Sequence, residues 1–386
     1  MLNNKVLNIA FLSTCPPREC GLATFTQDLI DAIDVTGVVK TNFIAVNNDK
    51  HREYSSKVIY EINQNTQKDY TELAQKLNHS DIDLLVIEHE FGIYGGDHGD
   101  YILDLLDNIN IPVITTLHTI LKKPNDKQKL IINALGKKST KIVTMAKTTK
   151  KLLKTVYGIS LDKIEVIHHG VPFKLVPTRL SLKKQFGYAG KQVISTFGLL
   201  SPGKGIEYAI EAISKVSSVN NNILYLILGK THPDQKNEAY REMLQALVIK
   251  YHLEKNVKFV NAYLTKDEII QYLQMSDIYM TPYLSKDQAV SGTLAYAVGY
   301  GRAIVSTPYL YAKEMLSEER GLLADFEDAD SLARGLNIIL QNPEQKTKIE
   351  KNTMKLGKTM YWPIVAKHYT DVFFKIMLFD QEVEVI

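Results

Sequence analysis

The chain has 386 residues, 45% of them hydrophobic and 23% charged, with a formal net charge of +3. That length exceeds a single hydrophobic core and predicts two domains, while the near-balanced charge gives no support to a nucleic-acid partner. No apolar run approaches the roughly 20 residues that span a bilayer, and two cysteines in the whole chain fit a reducing, cytoplasmic setting and exclude a disulfide scaffold.

The opening MLNNKVLNIAFLS places one lysine before an alternating apolar run and reads as a first strand, Leu7–Ser13, rather than a signal peptide. STCPPRECGLATF (13–25) follows. Pro16 and Pro17 stiffen the turn, and Leu22, Phe25, Leu29 and Ile33 recur at helical spacing, so a helix starts near Leu22. The loop thus joins a strand carboxyl end to a helix N-terminus, where backbone N–H groups and the dipole suit a phosphate or a sugar hydroxyl. Arg18 adds a charged fork and Gly21 a turn glycine. The plainer alternative is an ordinary strand–helix connection. Cys15 and Cys20 lack redox spacing and a nearby histidine for zinc, so they read as buried small apolar residues.

Further strands are predicted at Asn42–Val46, Leu84–Glu88, Val113–Leu117, Lys141–Met145 and Lys163–Ile167. Their alternation with helical segments predicts a parallel sheet covered on both faces. Asp81-Ile82-Asp83 reads as a strand-entry turn. The glycine-rich loop after Glu88 carries His89, Glu90, Asp97, His98 and Asp100. Its two histidines share no helix face, so His89 and Glu90 read as hydroxyl-binding groups rather than metal ligands. His118, in TLHT (116–119), ends the next strand and is open to a structural or a catalytic reading. Residues 137–154 hold seven lysines and no acid. Lys147, Lys150, Lys151 and Lys154 fall on one helical face, a solvated surface or, alternatively, a dock for anionic lipid at the inner membrane face.

VPFKLVPTRL (171–180), with two prolines and no period, marks the domain boundary. Strands restart at Gln192–Gly198, Ile223–Gly229, Val257–Val260, Ile278–Thr281 and Ala303–Ser306. In STFGLLSPGKGIEYAIEAI (195–213), Gly198, Gly203 and Gly205 permit tight turns and Lys204 sets a point charge beside a helix start. No Ser or Thr follows the lysine, so this is not a P-loop. In TPYLSKDQAVSGTLAYAVGYGRAIVST (281–307), Ser291, Gly292 and Thr293 open a helix of small residues. Two such loops on neighbouring strand ends point to nucleotide binding, against the alternative of ordinary packing. Asp328 caps a helix, and the stretch from Tyr361 forms another, with Val365, Tyr369, Val372 and Phe373 on one face. Ligands of open parallel sheets sit outside the strand carboxyl ends, which here predicts a cleft between two domains.

The order of these motifs resembles the retaining glycosyltransferases of family 4, whose α/β GT-B fold sets two doubly wound Rossmann-like domains facing across a cleft. The resemblance rests on the loop at Gly21, TLHT, KIEVIHHGVP (163–172), FGLLSPGKG (197–205), SDIYMTPY with GTLAYAVGYGRAIVSTP (276–308), RGLLADFEDADSLA (320–333) and YWPIVAKHY (361–369). The opening loop looks like that of a distinct branch. The resemblance implies a hexosyltransferase. It places a saccharide or lipid-linked acceptor on residues 1–170 and a nucleotide-diphosphate sugar on 171–360, with helix 361–386 crossing back to the first domain. Lys204 would neutralise the leaving diphosphate, N–H groups at Ser291, Gly292 and Thr293 would stabilise its charge, and His118 would sit by the donor sugar. Gly198 and Gly203 would line the donor site, and Glu314 would stand near the nucleotide. No metal or other cofactor is implied. Three positions depart from the family pattern: Leu199 replaces an arginine, and Gln288 and Tyr296 replace paired glutamates. Arg18 or Arg302 is the expected substitute for the missing cation. The departures keep two alternatives open, a non-catalytic nucleotide-sugar binder and a nucleotide-sugar epimerase. Mannose from GDP and glucose from UDP are both compatible with the sequence.

Overall fold

The computed structural model describes residues 6–48, 52–231 and 238–383. The chain divides into two compact units: Met1–Gly170 with Met360–Ile386, and Val171–Thr359.

Unit 1 begins β1 (Leu7–Ser13), α1 (Gly21–Asp34), β2 (Val39–Asn47), β3 (Val58–Asn63), α2 (Gln67–Asn78), β4 (Leu84–His89), α3 (Ile102–Asn108) and β5 (Val113–Leu117). It continues with α4 (Asp126–Lys138), β6 (Lys141–Thr144), α5 (Lys147–Tyr157) and β7 (Ile164–Val166). The seven strands are parallel in the order β3-β2-β1-β4-β5-β6-β7. Every residue of β1, β4 and β5 is buried, as strands covered on both faces must be. The Asp81–Asp83 turn enters β4 as expected: Asn8 N donates to Asp83 Oδ2 at 2.8 Å, and Asp83 N donates to Asn8 O at 2.8 Å.

Unit 2 holds α6 (Arg179–Gln185), β8 (Gln192–Phe197), α7 (Ile206–Ser217), β9 (Ile223–Leu228), α8 (Ala239–Lys250), β10 (Val257–Val260) and α9 (Lys266–Met275). It closes with β11 (Ile278–Thr281), α10 (Gly292–Gly299), β12 (Ala303–Ser306), α11 (Leu310–Met315), β13 (Leu322–Leu323), α12 (Ala329–Gln341) and α13 (Pro343–Gly357). Its six parallel strands run β10-β9-β8-β11-β12-β13. A core of aliphatic side chains from α7, α8 and α12, among them Ile210, Leu244 and Leu336, packs around Tyr225 and Ile227 of β9.

The chain then returns to unit 1 as α14 (Trp362–Val383). The face read from the sequence is the buried one: Val365, Tyr369, Val372 and Phe373 are each at most 5% exposed. Phe373 meets Phe11 of β1 edge-on at 6.4 Å, and Trp362 meets Phe25 of α1 at 5.3 Å. Residues 384–386 of the expected helix lie outside the described residues.

Two strands escaped the sequence reading, β3 and the two-residue β13. β3 is an edge strand of which only Ile62 is buried, so its short run VIY (58–60) does not mark a core strand. The strands expected to run through Gly198 and Gly229 stop one residue earlier, at Phe197 and Leu228. These glycines have φ of +133° and +142°, which a strand residue does not adopt.

Candidate functional site

In each sheet the strand order reverses once, between β1 and β4 in unit 1 and between β8 and β11 in unit 2. The carboxyl ends flanking such a reversal are where ligands of doubly wound folds bind.

In unit 2 the loop after β8 is held from two sides. A Cβ on Gly229 would lie 2.0 Å from Gly198 O, and one on Gly205 would lie 2.1 Å from Pro282 O. Only glycine permits either approach. Leu284 N donates to Gly203 O at 3.0 Å, lacing the Lys204 turn to the segment after β11. Gly203 itself has no positive φ and open space at its Cβ. Lys204 Nζ stands 4.0 Å from the centroid of the Tyr283 ring. The Tyr283 hydroxyl is 2.7 Å from Thr293 Oγ1, which is 3.2 Å from Ser291 Oγ. Ser291 caps α10, its Oγ accepting from Leu294 N. The N–H groups of Gly292 and Thr293 belong to the first turn, which has no intrahelical acceptors. Gly198 borders this turn, its Cβ position 3.5 Å from Thr293 Cγ2. One cation and one helix N-terminus are therefore joined through Tyr283, an arrangement that suits a diphosphate.

The other expected donor contacts lie on the segment before α10, on α10 and on α11. Gln288 is half-buried, its Nε2 donating to Val290 O and its carbonyl accepting from Tyr311 N. Tyr296, on α10, packs its ring against Phe197 at 6.1 Å. Glu314 is half-buried on α11, its carbonyl accepting from Ser317 Oγ and Arg320 Nη2. Arg302 is not an anion ligand. It is 6% exposed at the amino end of β12 and donates to the carbonyls of Tyr300, Gln274 and Ser276. Burial, and secondarily Arg179, lowers its pKa to about 10.

In unit 1, His118 closes β5, and its N–H donates to His89 O of the adjacent β4 at 3.1 Å. Its Nε2 is 2.7 Å from Oε2 of Glu88, a carboxylate with no exposed surface. Nε2 is thus engaged by Glu88, and Nδ1 is the ring nitrogen left for a reactant. Phe25 of α1 supports the ring edge-on at 4.8 Å.

Several expectations in this unit need correction. His89 binds no external hydroxyl: its ring is fully buried, stacked on Tyr94 and edge-on to Phe91. Burial, with His118 adding to it, lowers its pKa to about 3 and keeps it neutral. Glu90 spends one oxygen on Phe91 N at 3.0 Å and the other on Thr119 Oγ1 at 2.6 Å. Arg18 turns inward, donating to Gln64 Oε1 at 3.2 Å and Val46 O at 3.4 Å. Gly21 opens α1 with nothing within 4 Å of its Cβ position, so room and not backbone strain distinguishes it. Cys15 is buried as expected, but Cys20 is half-buried and caps α1, its Sγ accepting from Ala23 N. On α5, Lys147, Lys151 and Lys154 are exposed, whereas Lys150 is half-buried and donates to Ile164 O at 2.6 Å.

Glu88 and Tyr283 are the site residues that the sequence reading missed. An acid inside the buried run LLVIEH was a usable signal for Glu88, because such strands exclude unpaired charge. Nothing in TPYLS marked Tyr283. Among the described residues, no three His, Cys, Asp or Glu side chains gather as a metal-ligand set, and no helix is long and apolar enough to cross a membrane.

Residues 179–356 match the family described as Glycosyl transferases group 1, and residues 50–175 match Glycosyltransferase Family 4. The chain belongs to the group 1 glycosyltransferases. Among curated relatives of this family member, the "Uncharacterized glycosyltransferase MJ1607" of Methanocaldococcus jannaschii is 22% identical over 244 residues, 61% of this chain and 60% of that protein. The match therefore spans 60% of that relative's length. The D-inositol 3-phosphate glycosyltransferase of Corynebacterium glutamicum is 21% identical over 303 residues, 70% of this chain and 68% of that protein. Among solved structures, the sucrose-phosphate synthase of Thermosynechococcus elongatus superposes with a TM-score of 0.79 at 16% identity, covering 96% of this chain and 99% of that one. HepE of Anabaena, solved in complex with UDP and glucose, superposes with a TM-score of 0.75 at 15% identity, covering 96% and 100%. At these identities the likeness carries the fold, GT-B, as the sequence led us to expect.

Proposed function

We propose that this group 1 glycosyltransferase moves a hexose, with retention of configuration, from a nucleotide-diphosphate sugar to a hydroxyl of a saccharide or lipid-linked acceptor. The observation that carries the reading is the link from Lys204 through Tyr283 to the first turn of α10. Negative charge grows on the leaving diphosphate as the bond to the anomeric carbon breaks. Lys204 and the N–H groups of Gly292 and Thr293 meet that charge with preorganised positive charge, which favours the transition state over the ground state. The acceptor oxygen bonds to the anomeric carbon, the phosphate–sugar bond breaks, and the acceptor proton passes to the departing diphosphate. Gln288, Tyr296 and Glu314 take the sugar and ribose contacts. His118, oriented by Glu88, offers Nδ1 to a sugar hydroxyl. The charge is balanced by Lys204 and helix N–H groups, so the proposed chemistry is metal-independent.

UDP-glucose is the first donor to try, because the fold-related HepE was solved with UDP and glucose. A thermal-shift series with UDP, GDP and their sugars is expected to show one nucleotide series raising the melting temperature, since a ligand of the native state stabilises by mass action. Lys204→Ala is expected to shrink that shift sharply, leaving only the weaker hold on the nucleoside part. A full shift in the Lys204→Ala protein would refute the donor-site assignment. Slow release of free nucleoside diphosphate without acceptor is the expected sign of catalysis. Retained binding with no release across all donors would reject transfer, and a changed sugar still joined to its nucleotide would indicate epimerisation.

A further inference from the structure

Lys204 is a compact charge on a flexible four-carbon stem, and among the described residues it forms no ion pair. Its seat is instead an aromatic face. The Tyr283 ring beneath it is 1% exposed and is held through its face, its hydroxyl and its backbone. Tyr309 stacks on it at 5.5 Å with planes 20° apart, the hydroxyl meets Thr293, and Thr307 Oγ1 donates to the Tyr283 carbonyl at 2.5 Å.

We propose that Tyr283 is the positioning residue of the donor site, holding the Lys204 ammonium beside the α10 N-terminus without neutralising it. The inference rests on the donor-site reading above and adds to it the means by which the cation is placed. A carboxylate in this position would fix the lysine but cancel the charge that an incoming diphosphate needs. A ring face attracts an ammonium only weakly, so a charge-assisted bond to phosphate displaces it. The same ring, bonded to Thr293, ties that placement to the helix start, so cation and N–H groups are ordered together before the ligand arrives.

The test compares Tyr283→Leu and Tyr283→Phe, each with and without Lys204→Ala, by titration with UDP and GDP and with the corresponding nucleosides. Tyr283→Leu is expected to weaken diphosphate binding about tenfold, to leave nucleoside binding unchanged, and to add nothing once Lys204 is gone. Tyr283→Phe, which keeps the ring face, is expected to stay within about threefold of the parent. Equal loss from Tyr283→Leu with and without Lys204 would overturn the proposal, as would no loss at all. A second readout needs no nucleotide. With lysines ¹³C-dimethylated, the Lys204 methyl signal, assigned by its disappearance in Lys204→Ala, is expected upfield of ordinary lysines because of the ring beneath it. An unshifted signal in the otherwise native protein would sink the positioning role even if Tyr283→Leu fails to fold. An upfield signal without any diphosphate binding would instead refute only the donor-site reading.

Discussion

Gly229 and Gly21 look alike as letters, and the structure sets them at opposite ends of a scale. Gly229 has a φ of +142° and backs onto the Gly198 carbonyl, whereas Gly21 has ordinary helical geometry and empty space around it. Gly229→Ala is expected to cost at least about 2 kcal/mol, combining backbone strain with a steric clash that backbone cannot yield to. Gly21→Ala is expected to stay within about 0.5 kcal/mol of the parent. Urea midpoints of the two variants check both values, and equal midpoints would contradict the contrast. The same contrast explains what was legible at this scale. FGLLSPGKG announced a glycine-dependent turn, but not that Gly198 and Gly205 bear the conformational demand while Gly203 does not. His118 was legible because it ends a strand. Its partner Glu88 was not, because their pairing joins residues 30 positions apart, and that separation is set by the sheet order rather than by any local pattern.

At the level of elements, the strands buried on both faces were readable as apolar runs, and β3, with Ile62 its only buried residue, was not. A second feature hidden from the sequence is how α6 and α13 are fastened to the sheet of unit 2. Asp277, just before β11, accepts from Lys183 of α6, from Lys346 of α13 at 2.7 Å and from Val193 N of β8 at 2.8 Å. Burial pushes the Asp277 carboxyl up, but Lys346 and Lys183 together outweigh it and hold the group below its ordinary value. A carboxyl depressed by folding contributes stability in full above its unfolded pKa of about 3.9 and loses it as pH falls through the lower, folded value. The urea midpoint is therefore expected to drop below about pH 4. Asp277→Asn is expected to flatten that acid limb and to cost about 3 kcal/mol at neutral pH, because it leaves the buried Lys183 and the half-buried Lys346 without their counter-charge. An unchanged acid limb in Asp277→Asn would show that other carboxyls set it.

For the molecule as a whole, the two α/β repeats were visible as two series of strands with a proline-bearing stretch between them. The assignment of α14 to unit 1 was not derivable from its own periodicity. An amphipathic face states that a helix packs, not where, and only the resemblance pointed it back to the first domain. The observed contacts of Trp362, Tyr369 and Phe373 with Phe25, Thr116 and Phe11 make unit 1 discontinuous in sequence. Unit 2 is continuous, with its core drawn from its own residues. A fragment of residues 171–359 is therefore expected to unfold cooperatively and to keep the nucleotide-dependent thermal shift. A chain ending at residue 359 is expected to lose the melting transition of unit 1 while keeping that of unit 2. Calorimetry of the two fragments checks this, and loss of both transitions on removing α14 would contradict it.

The same discontinuity sets a schedule during synthesis. Unit 1 offers its first seven strands to the tunnel exit well before α14 exists, and all of Val171–Thr359 must be translated in between. At about 5–20 residues per second that interval is on the order of ten seconds or longer. Through it, the sides of Phe11 and Phe25 that Phe373 and Trp362 later cover stay open to water and to neighbouring nascent chains. Of the two units, the one begun earlier is thus the one completed later, and the pace of translation sets the shortest time for which that apolar surface waits for its cover.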